Sequence, residues 1–326
     1  SNDFTEVVVS PGDAKKIGRS KKIYKIFKIN NEIIKKFPKI LKSNSIAGYT
    51  SNQFTKLINL NNPIPVSVGA GDVPSSVIGL GVNKEDVAAT IFGTTIHNCF
   101  VSKSPIFYPK NIGLLFYSPN KLWLKTMINV AGTINLDWIL KNFFNKKIKS
   151  NTEKNLNKIE KYLIKNDIKS NGIFFLPYLN HGGVIAPYFN ENASGVIYGL
   201  NHEQNKYNII KAVYEGLALS IFDCYEKFNN KIKFVYLAGG ATKSLILPQM
   251  ISDVLNKKIF IPEGQEFGAK GAAMIAYSSI MKTSLKNKIF NQSKISKIIT
   301  PNQKKYIEYK EKYKYYKQIS RKLFHV

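Results

Sequence analysis

A mixed-sheet α/β fold is what this sequence predicts, and three observations carry that expectation. Strand-like runs between residues 64 and 127 lie close together and are joined by short turns, an antiparallel signal. From about residue 200 strands alternate with amphipathic helices, as parallel βα units do. The third observation is bulk: 326 residues, 44% hydrophobic and 12% aromatic, supply apolar material for one large or two ordinary domains and exclude wholesale disorder.

The elements follow in order. The first sixty residues are lysine-heavy and weakly periodic. Ile64–Gly69 reads as a buried strand, Pro74–Leu80 as a short helix after Asp72, and Val87–Phe92 as another strand. A Gly93-Thr94-Thr95 turn separates this strand from the apolar run Ile96–Val101. Leu114–Tyr117 and Leu122–Met127 are strands, and Ser118-Pro119-Asn120 between them supplies turn residues for a hairpin. Leu136–Phe144, apolar on one side, and the polar, lysine-rich Asn151–Ile164 read as helices.

Strand Ile173–Leu176 leads into a loop rich in Gly, Pro and Asn, Tyr178–Gly195. The most regular helix begins near Asn201, because Ile209, Ile210, Val213, Leu217, Ile221 and Cys224 recur at three- and four-residue spacing. Asn201 is its expected N-cap and Gln204 the capping-box partner. Strand Phe234–Ala238, the turn Gly239-Gly240-Ala241-Thr242-Lys243-Ser244 and a helix from about Leu247 to Leu255 come next. After the short strand Ile259–Ile261, Gly268–Ile280 is a small-residue helix of the kind that packs closely on a sheet.

Composition narrows the function classes. No window approaches the ~18 apolar residues of a membrane-spanning helix, and Ser1-Asn2-Asp3-Phe4 has no basic or apolar leader character, so the reading is a soluble, cytoplasmic chain without a membrane partner. Cys99 and Cys224 form no C-x-x-C pair and read as buried free thiols. The net charge of +27 suggests a polyanion partner. Against it, the 48 cations include only Arg19 and Arg321 as arginines, whereas sequence-reading surfaces favour the planar Arg fork. Lysine, asparagine and isoleucine are abundant in every segment, which fits a compositional bias spread over solvated faces, and no nucleic-acid partner is expected.

Three segments have the form of a site, each with a plain structural alternative. Strand–Gly239-Gly240-Ala241-Thr242-Lys243-Ser244–helix is either a phosphate cradle, with glycines opening backbone N–H groups to an anion, or an ordinary βα turn. Gly93-Thr94-Thr95 either binds phosphate oxygens or closes a hairpin. Asp72, among small residues at the end of Val66-Ser-Val-Gly-Ala-Gly71, either accepts a proton from a substrate hydroxyl or caps the next helix.

Together these segments resemble the FGGY carbohydrate kinases, of the xylulokinase type, within the actin, hexokinase and Hsp70 ATPase superfamily. Val66–Gly81 is similar to the family's Gly-Gly-Asp segment, and Phe92-Gly-Thr-Thr95 to its phosphate-contacting turn. Ala186-Pro-Tyr188 through Gly195-Val-Ile-Tyr-Gly-Leu200 and the Ala212–Ala218 helix resemble its Ala-Pro…Gly-Leu signature. Gly239-Gly-Ala…Gln249–Asp253 and Gly268-Ala-Lys-Gly-Ala-Ala273 resemble its later motifs, and Pro301–Leu323, with Tyr306, Tyr309, Tyr313 and Tyr316, its closing helix.

The resemblance implies an RNase H-like domain over residues 82–326 that binds the nucleotide, preceded in 1–81 by the tail of a sugar-side first domain. It implies transfer of the γ-phosphoryl of ATP, with Mg²⁺, to a sugar or polyol. Asp72 would be the general base; Gly93, Thr94 and Thr95 would touch the β- and γ-phosphates; Gly132 would lie near the nucleotide; Gly239, Gly240, Ala241 and Ser244 would line its adenosine and α-phosphate side. No residue is assigned to a metal. The family's first domain, opening on Asp-x-Gly-Thr/Ser, has almost no counterpart here, Val73 replaces a polar sugar contact, and Val184 or Ile185 stands where an arginine often precedes Ala-Pro. The expectation is therefore the ATP-side half of a kinase, a fragment needing the rest of its gene, a partner chain or an oligomer. Its alternative is a catalytically inactive nucleotide-binding or scaffolding remnant.

Overall fold

A computed structural model describes residues 2–3, 12–13, 18–145, 152–228, 231–285 and 293–324. In chain order the elements that build the site are α1 (Asp72–Gly79), β1 (Val87–Phe92), β2 (Ile96–Ser102), β3 (Leu114–Tyr117), β4 (Trp123–Asn129), α2 (Ile134–Phe144) and α3 (Thr152–Lys165). They continue with β5 (Phe174–Leu176), β6 (Val196–Tyr198), α4 (Lys206–Tyr225), β7 (Phe234–Gly239), α5 (Leu247–Leu255), β8 (Lys258–Pro262), α6 (Phe267–Ile280), β9 (Ile295–Ile299) and α7 (Gln303–Phe324). Among the described residues no helix is long and apolar enough to cross a membrane.

Among the described residues seven strands form one sheet in the order β9-β8-β7-β1-β2-β4-β3. Short connections make β1, β2, β4 and β3 antiparallel neighbours, whereas the long helical excursion from β4 to β7 returns the chain parallel to β1. β8 adds in parallel and β9 closes that edge antiparallel. The strand run Val87-Ala-Ala-Thr-Ile-Phe92 is almost wholly buried because helices cover both faces of the sheet. On one face Phe92, Phe100, Met127, Ile139, Leu217 and Tyr225 share a core with α2, α4, α5 and α7. On the other Ala89, Cys99 and Leu124 pack with Val73, Val77 and Leu80 of the α1 segment and Phe267 of α6.

Several polar residues threaded through these strands bond to one another or to α4. The Thr90 hydroxyl donates to Asn98 Oδ1 at 3.1 Å and shares a bond with the Tyr225 hydroxyl, and Asn98 donates to Asn129 at 2.8 Å. Both cysteines are buried free thiols, as composition suggests, and burial pushes Cys99 up to about 12.

Three local expectations are corrected. The Ile64–Gly69 strand shortens to Pro65–Ser67 and is not buried: among the described residues it pairs only with Ile46–Tyr49, leaving Val66 44% exposed. Helix α4 starts later than Asn201; its N-cap is Asn205, which exchanges capping-box bonds with Asn208. Gln204 does reach back to the Asn201 amide at 2.9 Å, but it closes a separate turn one step ahead of the helix. The third correction concerns α6, whose small residues serve a helix–helix contact with α1 rather than the sheet.

At that crossing a Cβ on Gly271 would sit 1.8 Å from the Ser75 carbonyl oxygen, and one on Gly79 would sit 2.0 Å from that of Phe267. Nothing larger than hydrogen fits at either place without parting the helices. Gly271→Val should accordingly destabilise the chain by about 1–3 kcal/mol or more, as overpacking a rigid contact does. Urea unfolding checks this, and a midpoint equal to that of the parental chain would show that the helices separate freely.

Candidate functional site

β1 and β7 lie side by side in parallel, with Phe92 opposite Gly239, so the turns that follow them are neighbours at one edge of the sheet. The carboxyl ends of parallel strands are where α/β sheets hold ligands. After β7 the chain enters a 3₁₀ turn, Gly240–Lys243, before α5. Gly239 makes this possible: its φ is +87°, and a Cβ there would lie 2.4 Å from the Phe92 carbonyl oxygen. Gly240 differs, since a Cβ would meet nothing nearer than Thr133 Cγ2 at 3.8 Å.

A cleft of about 580 Å³ opens over this turn, within the ~300–1,000 Å³ usual for small-molecule sites. Residues 237–244 form its floor, with Thr133, Leu136 and Asp137 of the α2 segment on one wall and α3 on another. Residues 262 and 264–267 complete the lining. Gly239, Gly240, Ala241 and Ser244 therefore come together as one surface, with Gly239 and Gly240 exposed and Ala241 buried.

The hydroxyl of Ser244 is committed to the fold. It donates to Glu160 Oε1 at 2.6 Å and accepts from the amides of Ile246 and Leu247 at 3.3 and 3.0 Å. The first amide of α5 is thus capped from within, and the turn, rather than the helix end, is what faces the cleft. Glu160 is 1% exposed and fully engaged, since Oε1 also accepts from the Tyr214 hydroxyl at 2.7 Å and Oε2 from the Leu245 amide at 2.8 Å. It pins the floor of the cleft to α3 and α4. At the rim Lys243 pairs with Glu153 at 2.9 Å, and burial raises the Asp137 carboxyl above the ordinary aspartate value.

The β1–β2 turn adjoins the cleft without lining it. Its Gly93 amide donates to the Thr95 carbonyl at 2.9 Å, while the Gly93 and Thr94 carbonyls accept from Thr133 and Gly132 at 3.0 and 2.7 Å. Gly132 is a packing residue: a Cβ would come 2.4 Å from the Gly93 carbonyl oxygen. The amides of Thr94 and Thr95 and the hydroxyl of the exposed Thr94 are what this turn can offer an anion.

Asp72 is exposed and is the first residue of α1, one position inside the Gly71 cap. Its Oδ1 accepts from the Val73 amide at 2.7 Å. Its charge also acts on His97 of β2, where it opposes the lowering of the imidazole by burial. Val73 is buried against the sheet, so it belongs to the core here.

Glu153, Glu160, Asp137 and His97 were not among the residues singled out from the sequence. One signal existed for Glu160: it falls between Leu156, Ile159 and Leu163 on the apolar face of α3, where an unpaired carboxylate would be costly. Gln249 and Asp253 of the later motif are structural. Gln249 donates to Asp253 at 2.8 Å, and Asp253 also accepts from the Asn302 amide at 2.8 Å, tying α5 to the start of α7.

An antiparallel β1–β2–β4 array continued by parallel β7 and β8, with its turns at one edge, is the RNase H-like fold of the actin, hexokinase and Hsp70 ATPases. A xyloylose kinase from Brucella ovis superposes with a TM-score of 0.84 at 22% identity, covering 99% of this chain and 65% of that one. Plasmodium falciparum glycerol kinase with ADP superposes at 0.77 and 22% identity, covering 98% and 63%. Residues 88–280 match the C-terminal domain of the FGGY family of carbohydrate kinases, and this chain belongs to that family. Xylulose kinase of Staphylococcus epidermidis is 24% identical over 288 residues, 87% of this chain and 56% of the relative. Glycerol kinase of Aquifex aeolicus is 26% identical over 281 residues, 82% and 53%. The chain thus spans little more than half the length of these relatives.

Proposed function

We propose that this chain forms the nucleotide side of an ATP-dependent kinase acting on a hydroxyl of a sugar or polyol. The observation that carries the reading is the cleft over Gly239–Ser244; the exposed carboxylate of Asp72 at the start of α1 is its proposed base. Residues 82–326 are assigned to the nucleotide and 1–81 to the tail of the sugar-side domain. α1 is then the joint, since it shares its core with the sheet. Ile26, Phe27, Tyr49 and Leu57 are exposed in the earlier segment, Leu57 by 76%, an apolar surface fit to be covered by a sugar-side domain or partner chain. A cytoplasmic location goes with the use of ATP.

In this reading the nucleotide lies in the cleft, its adenosine and α-phosphate side along the floor made by Gly239, Gly240, Ala241 and Ser244. Its outer phosphates meet the amides of Thr94 and Thr95 in the turn that Gly132 buttresses. Asp72 accepts the proton of the substrate hydroxyl as that oxygen attacks the γ-phosphorus, and ADP departs with the bridging electrons. Catalysis is then mostly positioning, which the satisfied Glu160 network provides by keeping the floor rigid. Among the described residues no three His, Cys, Asp or Glu side chains gather as a metal cage. Mg²⁺ bound with the nucleotide would neutralise part of the phosphate charge.

One observation favours the second reading, a nucleotide-binding or scaffolding protein without transfer activity: the Gly93 amide is already turned inward to Thr95. Calorimetry addresses what the two readings share. ATP titrated into the folded chain should bind with a dissociation constant of about a millimolar, roughly −4 kcal/mol. Heats equal to those of buffer at suitable protein concentration would remove the nucleotide site. Phosphoryl transfer to a sugar, measured in a chain carrying a sugar-side domain, then separates the enzyme from the scaffold.

A further inference from the structure

His97 is bonded to one chemical element of the site and feels the charge of the other. It lies on β2, two residues beyond the Thr94-Thr95 turn, and its Nε2 is 3.1 Å from the Thr95 hydroxyl. Its Nδ1 is buried without a hydrogen-bond partner. Neutral imidazole presents one donor and one acceptor, so a ring with one nitrogen on Thr95 and the other buried alone holds an unspent polar group. Its neighbours across the sheet, Ile91 and Ile128, carry no charge, and the one charged group among the described residues that acts on it is Asp72 of α1.

We propose that His97 is a proton-accepting positioning residue for the phosphate turn, taking up a proton from solvent when the outer phosphates of a nucleotide occupy Thr94 and Thr95. This rests on the nucleotide reading above. An imidazole with both nitrogens protonated must donate from Nε2, which fixes the Thr95 hydroxyl as the acceptor and turns its own hydrogen towards the anion, while the Nδ1–H, with no acceptor, keeps the ring neutral until the phosphates are bound. The positive ring also opposes the phosphate charge at short range in a partly buried place, where screening is weak.

The sign of the pH dependence follows. In the free chain burial holds His97 below its usual value, with Asp72 acting the other way, which favours the neutral ring. Bound phosphates favour the charged form and raise it. A group that titrates higher in the complex makes binding tighter as pH falls through its bound value, and the gain levels off below its free value. Each unit of that rise tightens nucleotide binding about tenfold at the acid end.

The test is ATP binding to the chain between pH 5.5 and 8, followed by calorimetry in two buffers of different ionisation enthalpy, with the His97→Gln variant alongside. Glutamine keeps a polar group near Thr95 but cannot take a proton, and it cancels the titration of ATP itself. The expected result is proton uptake and acid tightening in the parental chain beyond those of His97→Gln, with similar affinities at pH 8. Identical pH profiles would overturn the proposal and leave the nucleotide site standing, whereas absence of binding by the parental chain would overturn both. A measurement without any variant guards against misfolding: the ring-proton NMR titration of His97 should shift to higher pH on adding ATP. An unmoved titration in a chain that binds ATP would refute the assignment.

Discussion

Asp72→Asn should lower kcat by roughly 10²–10⁴-fold in a chain carrying a sugar-side domain, while the dissociation constant for ATP stays where it was. The amide matches the carboxylate in shape and can still accept from the Val73 amide, so α1 keeps its first turn. What it cannot do is take the hydroxyl proton as the oxygen attacks. Nucleotide affinity is expected to reside on the Gly239–Ser244 floor and the Thr94-Thr95 amides, which the substitution does not touch. Initial rates with a polyol or ketose substrate, set beside calorimetry with ATP, give the split between kcat and binding. Turnover at the parental rate would return Asp72 to a surface carboxylate at the start of a helix.

Gly240→Leu should do the reverse, weakening ATP at least about tenfold, or ~1.4 kcal/mol, while the fold persists. A Cβ at this position meets only ordinary contacts, with Thr133 Cγ2 at 3.8 Å and the Phe92 carbonyl oxygen at 3.9 Å, so the backbone need not move. The added side chain instead takes up room in a cleft of about 580 Å³. The neighbouring Gly239→Ala is the control with the opposite signature. Its positive φ and the 2.4 Å approach to Phe92 mean that alanine strains or shifts the end of β7, costing about 1–3 kcal/mol of stability. Thermal unfolding paired with ATP titration tells the two apart, and unchanged ATP affinity in Gly240→Leu would move the nucleotide off this turn.

Much of the sheet was legible in the sequence because its signals are local. Val87–Phe92, Leu114–Tyr117 and Leu247–Leu255 appear with the expected bounds, since apolar runs between turn residues and three-to-four spacing are set by nearby side chains. The helix start expected at Asn201 shows where local pattern fails. Two Asx-type starts lie within five residues, at Asn201 and Asn205, and only the second has a partner that completes the capping box inside the helix. Ile64–Gly69 fails for another reason: apolar content implies burial only if something packs on it, and among the described residues Val66 stays open.

The sequence by itself determined the alternation of strands and helices, the glycine turns after β1 and β7, and the family, because each is carried by residue type and order along the chain. Tertiary structure alone decided what those residues do to one another. Pairing of β1 with β7 sets Phe92 opposite Gly239 across more than 140 positions of chain and so makes one site edge from two distant turns. Folding also divides the motif residues by work: Ser244 and Asp253 are consumed in internal hydrogen bonds, Gly132 and Gly271 in close packing, and Gly240 is left open to the cleft. It brings His97, two residues after Thr95, within the field of the distant Asp72. Such contacts depend on distances between segments far apart in sequence, and no local spacing encodes them.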